Sequence, residues 1–197
     1  MIAKRVFDLV VASAGLVILS PVLVVVAILV KLTSSGPVLH GSIRSGLNGR
    51  SFRVLKFRTM VVGAEKLGGL STGKNDPRVT RIGRILRRYK LDELPQLINV
   101  VKGEMSIVGP RPEFPQYTSQ YGGEEALILT VRPGITDYAS IKFRHLDEVL
   151  GSEQVDRVYE EQVKPVKNAL RVKYVKERTF WRDMALIVQT VKSIVAD

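Results

Sequence analysis

The 197-residue sequence predicts a mainly helical α+β protein in which an apolar helix-break-helix segment of membrane length precedes a basic body with a small β-hairpin. Three observations carry that expectation. Residues 9–30 hold no charge and are flanked by Lys4, Arg5 and Asp8 on one side and Lys31 on the other, which is the pattern of a membrane segment of about 20 residues. Residues 52–57 alternate apolar and basic side chains as a half-buried strand does. Residues 80–90 and 155–195 space apolar and basic residues as amphipathic helices do. The length suits one body plus an appendage, with boundaries at 1–32 and 33–197.

The apolar segment is interrupted at Ser20-Pro21. Pro21 lacks the amide that would reach the Val17 carbonyl, so the helix kinks or breaks there. Two arrangements follow: a kinked spanning helix, or a re-entrant hairpin whose ends share one face of the bilayer, which basic residues at both ends favour weakly. A signal-peptide cleavage site is not evident, so the segment is expected to stay attached. Thr33-Ser34-Ser35-Gly36-Pro37 is a turn-rich linker. Residues 38–45 then pair with 52–57 across an Asn48-Gly49 turn.

Four glycines in residues 61–76 predict a mobile loop able to serve as a lid. Residues 80–90 set Ile82, Ile85 and Leu86 against an arginine face of Arg81, Arg84, Arg87 and Arg88. A second short helix is expected from Asp92 to a capping Gly103. The tail should break near Pro165. Its Lys and Arg residues beside Tyr174, Phe180 and Trp181 fit either packing on the body or an interfacial helix at the lipid headgroups.

With 30 Lys and Arg against 19 Asp and Glu, the chain carries +11 and suits a polyanionic partner: nucleic acid, an anionic membrane or phosphorylated small molecules. The lack of cysteine excludes a thiolate nucleophile, and His40 and His145 are too few for a histidine metal cluster. No Walker loop, Rossmann fingerprint or Ser-His-Asp pattern is visible.

The chemistry concentrates at Leu91-Asp92-Glu93-Leu94-Pro95-Gln96-Leu97. As an isolated dipeptide, Asp92-Glu93 reads as helix capping, with Pro95 harmless in a first turn. Beside Arg87, Arg88 and Lys90, however, an ionised Asp92 could attack phosphorus and form an acyl phosphate. Such transfer needs positioning and charge neutralisation from Arg, Lys and a divalent cation, and one or two carboxylates with phosphate oxygens and water suit magnesium. Candidate substrate-binding residues are Lys56 and Arg58, Arg78, Arg87 and Arg88, Pro110, Arg111 and Pro112, and Arg132. The two prolines stiffen the loop that offers the Arg111 guanidinium. A rigid turn with a solvated arginine is the alternative for each cluster.

These blocks, with Gly36-Pro37-Val38, Lys56-Phe57-Arg58-Thr59-Met60, Asp76-Pro77-Arg78-Val79-Thr80 and Gly109-Pro110-Arg111-Pro112, resemble the bacterial sugar transferase family of small monotopic phosphoglycosyl transferases. The resemblance covers most of residues 15–136. It implies a ping-pong reaction: Asp92 attacks the phosphate bearing the sugar of a UDP-sugar, and undecaprenyl phosphate then takes the sugar phosphate, the first membrane step of glycan assembly. It implies that Glu93 handles a proton or, with Asp92, binds Mg2+, that Arg111 lies near the nucleotide, and that Arg87 and Arg144 are site arginines. It also implies a re-entrant hairpin broken at Ser20-Pro21 and a place on the cytoplasmic face of the bacterial inner membrane, among its lipids. The sequence departs from the family pattern at His40-Gly41-Ser42, at Lys90 and at Asp137-Tyr138-Ala139-Ser140-Ile141, so no single relative's sugar should be copied. A membrane-tethered nucleic-acid-binding protein is the alternative from charge, but no nucleic-acid module is recognisable; an inactive scaffold is opposed by intact Asp92, Glu93 and Arg111. The residues do not decide between a monomer and a homodimer.

Overall fold

The computed structural model describes residues 2–195. The chain opens with α1 (Ile2–Ile18) and α2 (Ser20–Thr33), bent by 62°. One missing donor explains the bend. Pro21 lies in the first turn of α2, and the Ser20 hydroxyl donates to the Val17 carbonyl at 2.8 Å, taking the acceptor the proline leaves open. Among the described residues no single helix is long and apolar enough to cross a membrane, whereas the bent pair together has the length and composition.

Helix α1 is partly built into the body. Ala12 is fully buried in a core with Val54, Val100, Met105, Val108, Tyr174 and Leu186. The buried Asp8 carboxylate accepts from the Ser106 hydroxyl at 2.8 Å and the Ile107 amide at 3.1 Å. Arg5 donates to the Val100 and Val101 carbonyls, and Lys4 pairs with Asp183. Helix α2 packs Val26 and Val30 on Phe57 and Leu86. Both helices leave an apolar side uncovered, with Val10, Val17, Ile18, Val24, Val25 and Leu32 all exposed.

The expected hairpin forms: β1 (Leu39–Ser45) and β2 (Ser51–Phe57) are antiparallel in a register that sets His40 opposite Lys56. Asn48 and Gly49 in its turn have φ of 54° and 74°, the left-handed region these residue types tolerate. The glycine-rich loop has no core of its own, yet it is tied down. Arg78 grips Asp76 with three bonds of 2.7–3.1 Å and donates to the Gly69 and Ser71 carbonyls, while the Ser71 amide donates to Asp156.

Helix α3 (Arg81–Arg88) is capped by Thr80, whose hydroxyl accepts from the Gly83 amide at 3.0 Å. The single helix expected over 92–103 is two pieces: a 3-10 turn at Leu91–Glu93 and α4 (Gln96–Lys102), ended by Gly103 at φ 85°. Pro95 is the reason. It has no amide to continue a helical ladder from the turn, so it opens α4 while i to i+3 bonds close the residues before it.

A second small sheet adds to the expected hairpin. β3 (Ser106–Val108) and β4 (Gly134–Thr136) pair in parallel, flanking the short α5 (Pro115–Thr118) and a 3-10 stretch at Gly123–Thr130. Strands of three residues carry no readable alternation. Their contact depends on Gly109 and Gly134, whose backbones touch so closely that a Cβ on either would collide with the other strand's main chain.

The rest is helical: α6 (Tyr138–Lys142), α7 (Leu146–Leu150), α8 (Val155–Val158), a π turn at Tyr159–Val163, α9 (Lys164–Glu177) and α10 (Phe180–Val195). Near Pro165, where a break is expected, the chain stays helical but the α ladder is interrupted by the π turn that ends at Val163, and the chain leaves the helix only at Arg178-Thr179. Helix α9 buries Lys167, Asn168, Arg171, Val172 and Tyr174, so it packs on the body. Helix α10 buries Asp183 and Leu186 but exposes Trp181, Val188, Val191 and Ile194, an amphipathic face.

Candidate active site

Asp92 and Glu93 occupy the 3-10 turn between α3 and α4. Lys90 enters that turn with φ 56°, a left-handed conformation costing about 1 kcal/mol for a residue with a Cβ. Its ammonium donates to the Arg144 carbonyl at 3.1 Å, which holds the strained residue in place. Neither carboxylate caps a helix: no side-chain cap bond forms at the 3-10 turn or at α4. Capping therefore has no hydrogen bond behind it at either carboxylate.

The two neighbours have opposite surroundings. Glu93 Oε1 accepts from Lys56 Nζ at 2.8 Å and from Arg111 Nη2. Burial alone would raise the Glu93 carboxyl, but the charges and hydrogen bonds of Arg111 and Lys56 together outweigh it and hold the group well below the usual carboxylate range. Asp92 is 5% exposed and its Oδ1 is buried without a hydrogen-bond partner. Burial pushes its carboxyl up, with help from Glu93 and against the pull of Lys56, Arg87 and Lys90. The cations expected to keep Asp92 ionised do pull its carboxyl down, but burial pulls harder the other way, so of the two carboxylates Glu93 is the one held more firmly ionised.

Arg111 reaches this turn because β3 delivers it. Pro110 and Pro112 flank it, the Pro110 carbonyl accepts from the Gly134 amide, Arg111 Nη1 donates to the Ile135 carbonyl at 3.2 Å, and its backbone amide donates to Asp137. Asp137 also caps α6 by accepting from the Ser140 amide at 2.7 Å, so the divergent segment 137–141 shares a carboxylate with the Arg111 loop.

Of the residues expected to bind substrate, Lys56, Arg111 and Arg87 converge. Arg87 Nε donates to Thr59 Oγ1 at 2.9 Å, and its charge bears on Asp92. Arg58 follows β2 directly, its guanidinium folded over Gly36. Three others do not join the group. The fork of Arg78 is taken up by Asp76 and the loop carbonyls. Arg88 is exposed beside the Tyr89 ring. Arg132 donates to the Gly103 carbonyl at 2.9 Å, closing the end of α4. Arg144 contributes its carbonyl to Lys90 and Nη2 to the Ile194 carbonyl at 3.4 Å.

Gln96 was missed. It opens α4 and is fully buried with both amide atoms unpartnered. Among the described residues no three His, Cys, Asp or Glu side chains cluster as a metal cage. The open Asp92 Oδ1, beside a Glu93 already shared by two cations, instead offers the sparse oxygen ligation that magnesium accepts when phosphates and water complete its shell.

A family model described as "Bacterial sugar transferase" matches residues 1–197. The chain is 40% identical over 201 residues to an undecaprenyl-phosphate glucose phosphotransferase of Komagataeibacter xylinus, covering 98% of this chain and 36% of that protein. It is 35% identical over 195 residues to a UDP-glucose:undecaprenyl-phosphate glucose-1-phosphate transferase of Caulobacter vibrioides, covering 98% of this chain and 69% of the relative. A protein of Escherichia coli with the same description is 40% identical over 191 residues, 95% of this chain and 39% of its own length. The chain thus spans little more than a third of two of these relatives.

Proposed function

Because this chain belongs to the bacterial sugar transferase family, we propose that it is a phosphoglycosyl transferase that moves a sugar 1-phosphate from a UDP-sugar to undecaprenyl phosphate, with Asp92 as nucleophile. The observation that carries the reading is the asymmetry of the two carboxylates: Glu93 bridges Lys56 and Arg111, while Asp92 keeps a buried oxygen with no partner. An Asp92 oxygen attacks the phosphorus that bears the sugar, the bond from that phosphorus to the bridging oxygen breaks, and UMP leaves. An acceptor phosphate oxygen then attacks the same phosphorus, the bond to Asp92 breaks, and the carboxylate returns as the lipid-linked diphosphate forms. A carboxylate raised by burial is the more basic and the better nucleophile once ionised. Lys56, Arg87 and Arg111 neutralise phosphate charge. Magnesium, held by Asp92 and Glu93 with donor phosphates, would supply further charge neutralisation.

The same reading places α1 and α2 in the cytoplasmic leaflet of the inner membrane as a re-entrant hairpin. Support comes from both ends being fastened to one body, through Lys4, Arg5 and Asp8 at the start and through Val26 and Val30 at the return. The central test is Asp92→Asn: with UDP-sugar, polyprenyl phosphate and magnesium, UMP release should be lost, and retained turnover would remove Asp92 from the nucleophile role.

A further inference from the structure

Arg58 occupies the junction between the apolar helix pair and the Asp92 turn. Its amide donates to the Val38 carbonyl at 2.9 Å, which fixes the residue beside the linker that leaves α2. The guanidinium lies across Gly36, where any Cβ would collide with Nη1 and Cζ. The preceding Phe57 is buried with Val26 and Val30 of α2, and Leu91, next to Asp92, packs on the same cluster. Arg58 therefore lies against the linker that leaves α2 and stands two positions from Lys56, whose ammonium reaches Glu93. Lys56 and Arg58 both bear electrostatically on His40, which stands opposite Lys56 in the hairpin, so the two cations share one neighbourhood.

Arg58 Nη1 is buried with no hydrogen-bond partner. The other cations of the site have acceptors: Lys56 and Arg111 on Glu93, Arg87 on Thr59, Lys90 on the Arg144 carbonyl. A buried guanidinium nitrogen without an acceptor is costly unless an anion arrives. The two substrates of the proposed reaction approach from different sides. The donor is water-soluble, whereas the acceptor's phosphate hangs from a chain that stays in the bilayer, next to the exposed Leu32 and Leu39.

Resting on the function proposed above, we infer that Arg58 is the acceptor subsite: its fork takes the phosphate monoester of the polyprenyl lipid and presents an oxygen to the phosphorus carried on Asp92. Gly36 is glycine so that the guanidinium can lie between the linker and the site. A phospholipid headgroup or inorganic phosphate offers the same chemistry, so the test must separate these sources.

The full-length protein in detergent is assayed in two stages with UDP-glucose and UDP-N-acetylgalactosamine as donors. Without acceptor, the single-turnover burst of UMP reads the donor half-reaction alone, and Arg58→Gln should depress it far less than it depresses turnover with acceptor; an equal loss in both would overturn the assignment to the acceptor. With polyprenyl phosphate, its KM for that lipid should rise roughly tenfold or more, the loss expected for one hydrogen bond between charged groups. Arg58→Lys should recover part of the loss, and Gly36→Ala, which displaces an intact guanidinium, should reproduce it. Independently of turnover, polyprenyl phosphate should raise the melting temperature of the wild type and not of Arg58→Gln, while equal concentrations of phosphatidylglycerol or inorganic phosphate should do neither. An unchanged acceptor KM, an equal thermal shift in Arg58→Gln, or equal protection by phosphatidylglycerol or phosphate would overturn the assignment. Loss of the wild-type burst would count against the covalent route alone, since the thermal shift still reads the acceptor subsite.

Discussion

Asp92 and Glu93 are neighbours in the chain with different surroundings: Glu93 meets Lys56 and Arg111, whereas Asp92 Oδ1 is buried without a partner. Burial, which raises the Asp92 carboxyl and is outweighed by charge at Glu93, also dominates the titration of Lys167 on α9. Its ammonium lies 5.0 Å from the Tyr159 ring and 5.8 Å from the Phe143 ring. Burial and then Arg171 push its pKa down to about 7, against the pull of Glu113, which already accepts from Arg44, Arg171 and Tyr159. Because the folded value lies below the ordinary lysine value, the unfolded chain binds the extra proton, and stability rises with pH from about 7 toward the ordinary lysine range. Lys167→Met should therefore stabilise the protein by about 1–3 kcal/mol at pH 6, and by progressively less as pH approaches 10, measured by denaturant unfolding. A gain that stayed constant across that range would mean the lysine is not held against its charge.

At the scale of elements, the site depends on a contact between two strands too short to stand alone. β3 and β4 carry the Arg111 loop, and their approach is permitted by Gly109 and Gly134. Gly134→Ala would force apart backbones that now touch. The expected cost is about 1–3 kcal/mol of stability, and UMP release should fall as Arg111 withdraws from Glu93. Thermal unfolding and the donor half-reaction measure the two effects. Full activity with normal stability would show that the Arg111 loop does not need the strand contact. Helix α3 obeys a similar constraint, since a Cβ at Gly83 would strike the Thr59 carbonyl, and that closeness allows Arg87 to reach Thr59.

For the whole molecule, the decisive feature is a core shared between the apolar helix pair and the body. Ala12 lies in the same cluster as Val100 and Leu186, and Asp8 satisfies the edge of β3. A buried carboxylate bonded in this way costs several kcal/mol to pull out, so α1 moves with the body. A spanning helix would have to carry one of its ends away from these contacts. The chain has no native cysteine, so cysteines introduced at the exposed Ile2 and Ser35 give clean probes. Both should react with an impermeant thiol reagent from the cytoplasmic side only; labelling of Ile2 from the outside would require a spanning α1.

Local physics was legible in the residues. The break at Ser20-Pro21, the Asn48-Gly49 hairpin, the cap at Thr80 and the stop at Gly103 each follow from backbone constraints within a few residues. The acidic pair was legible too, through its setting among cations. Three-dimensional packing alone decided that Arg111 and Lys56, 55 positions apart by their numbers, close on Glu93 and leave Asp92 open, that Arg78 and Arg132 are held by other partners, and that Arg88 is exposed. The physical reason is that a pattern along the chain reports which faces are apolar and where the backbone must turn. Which cation meets which carboxylate, and how far burial shifts each one, depends on distances between segments that only the assembled core sets.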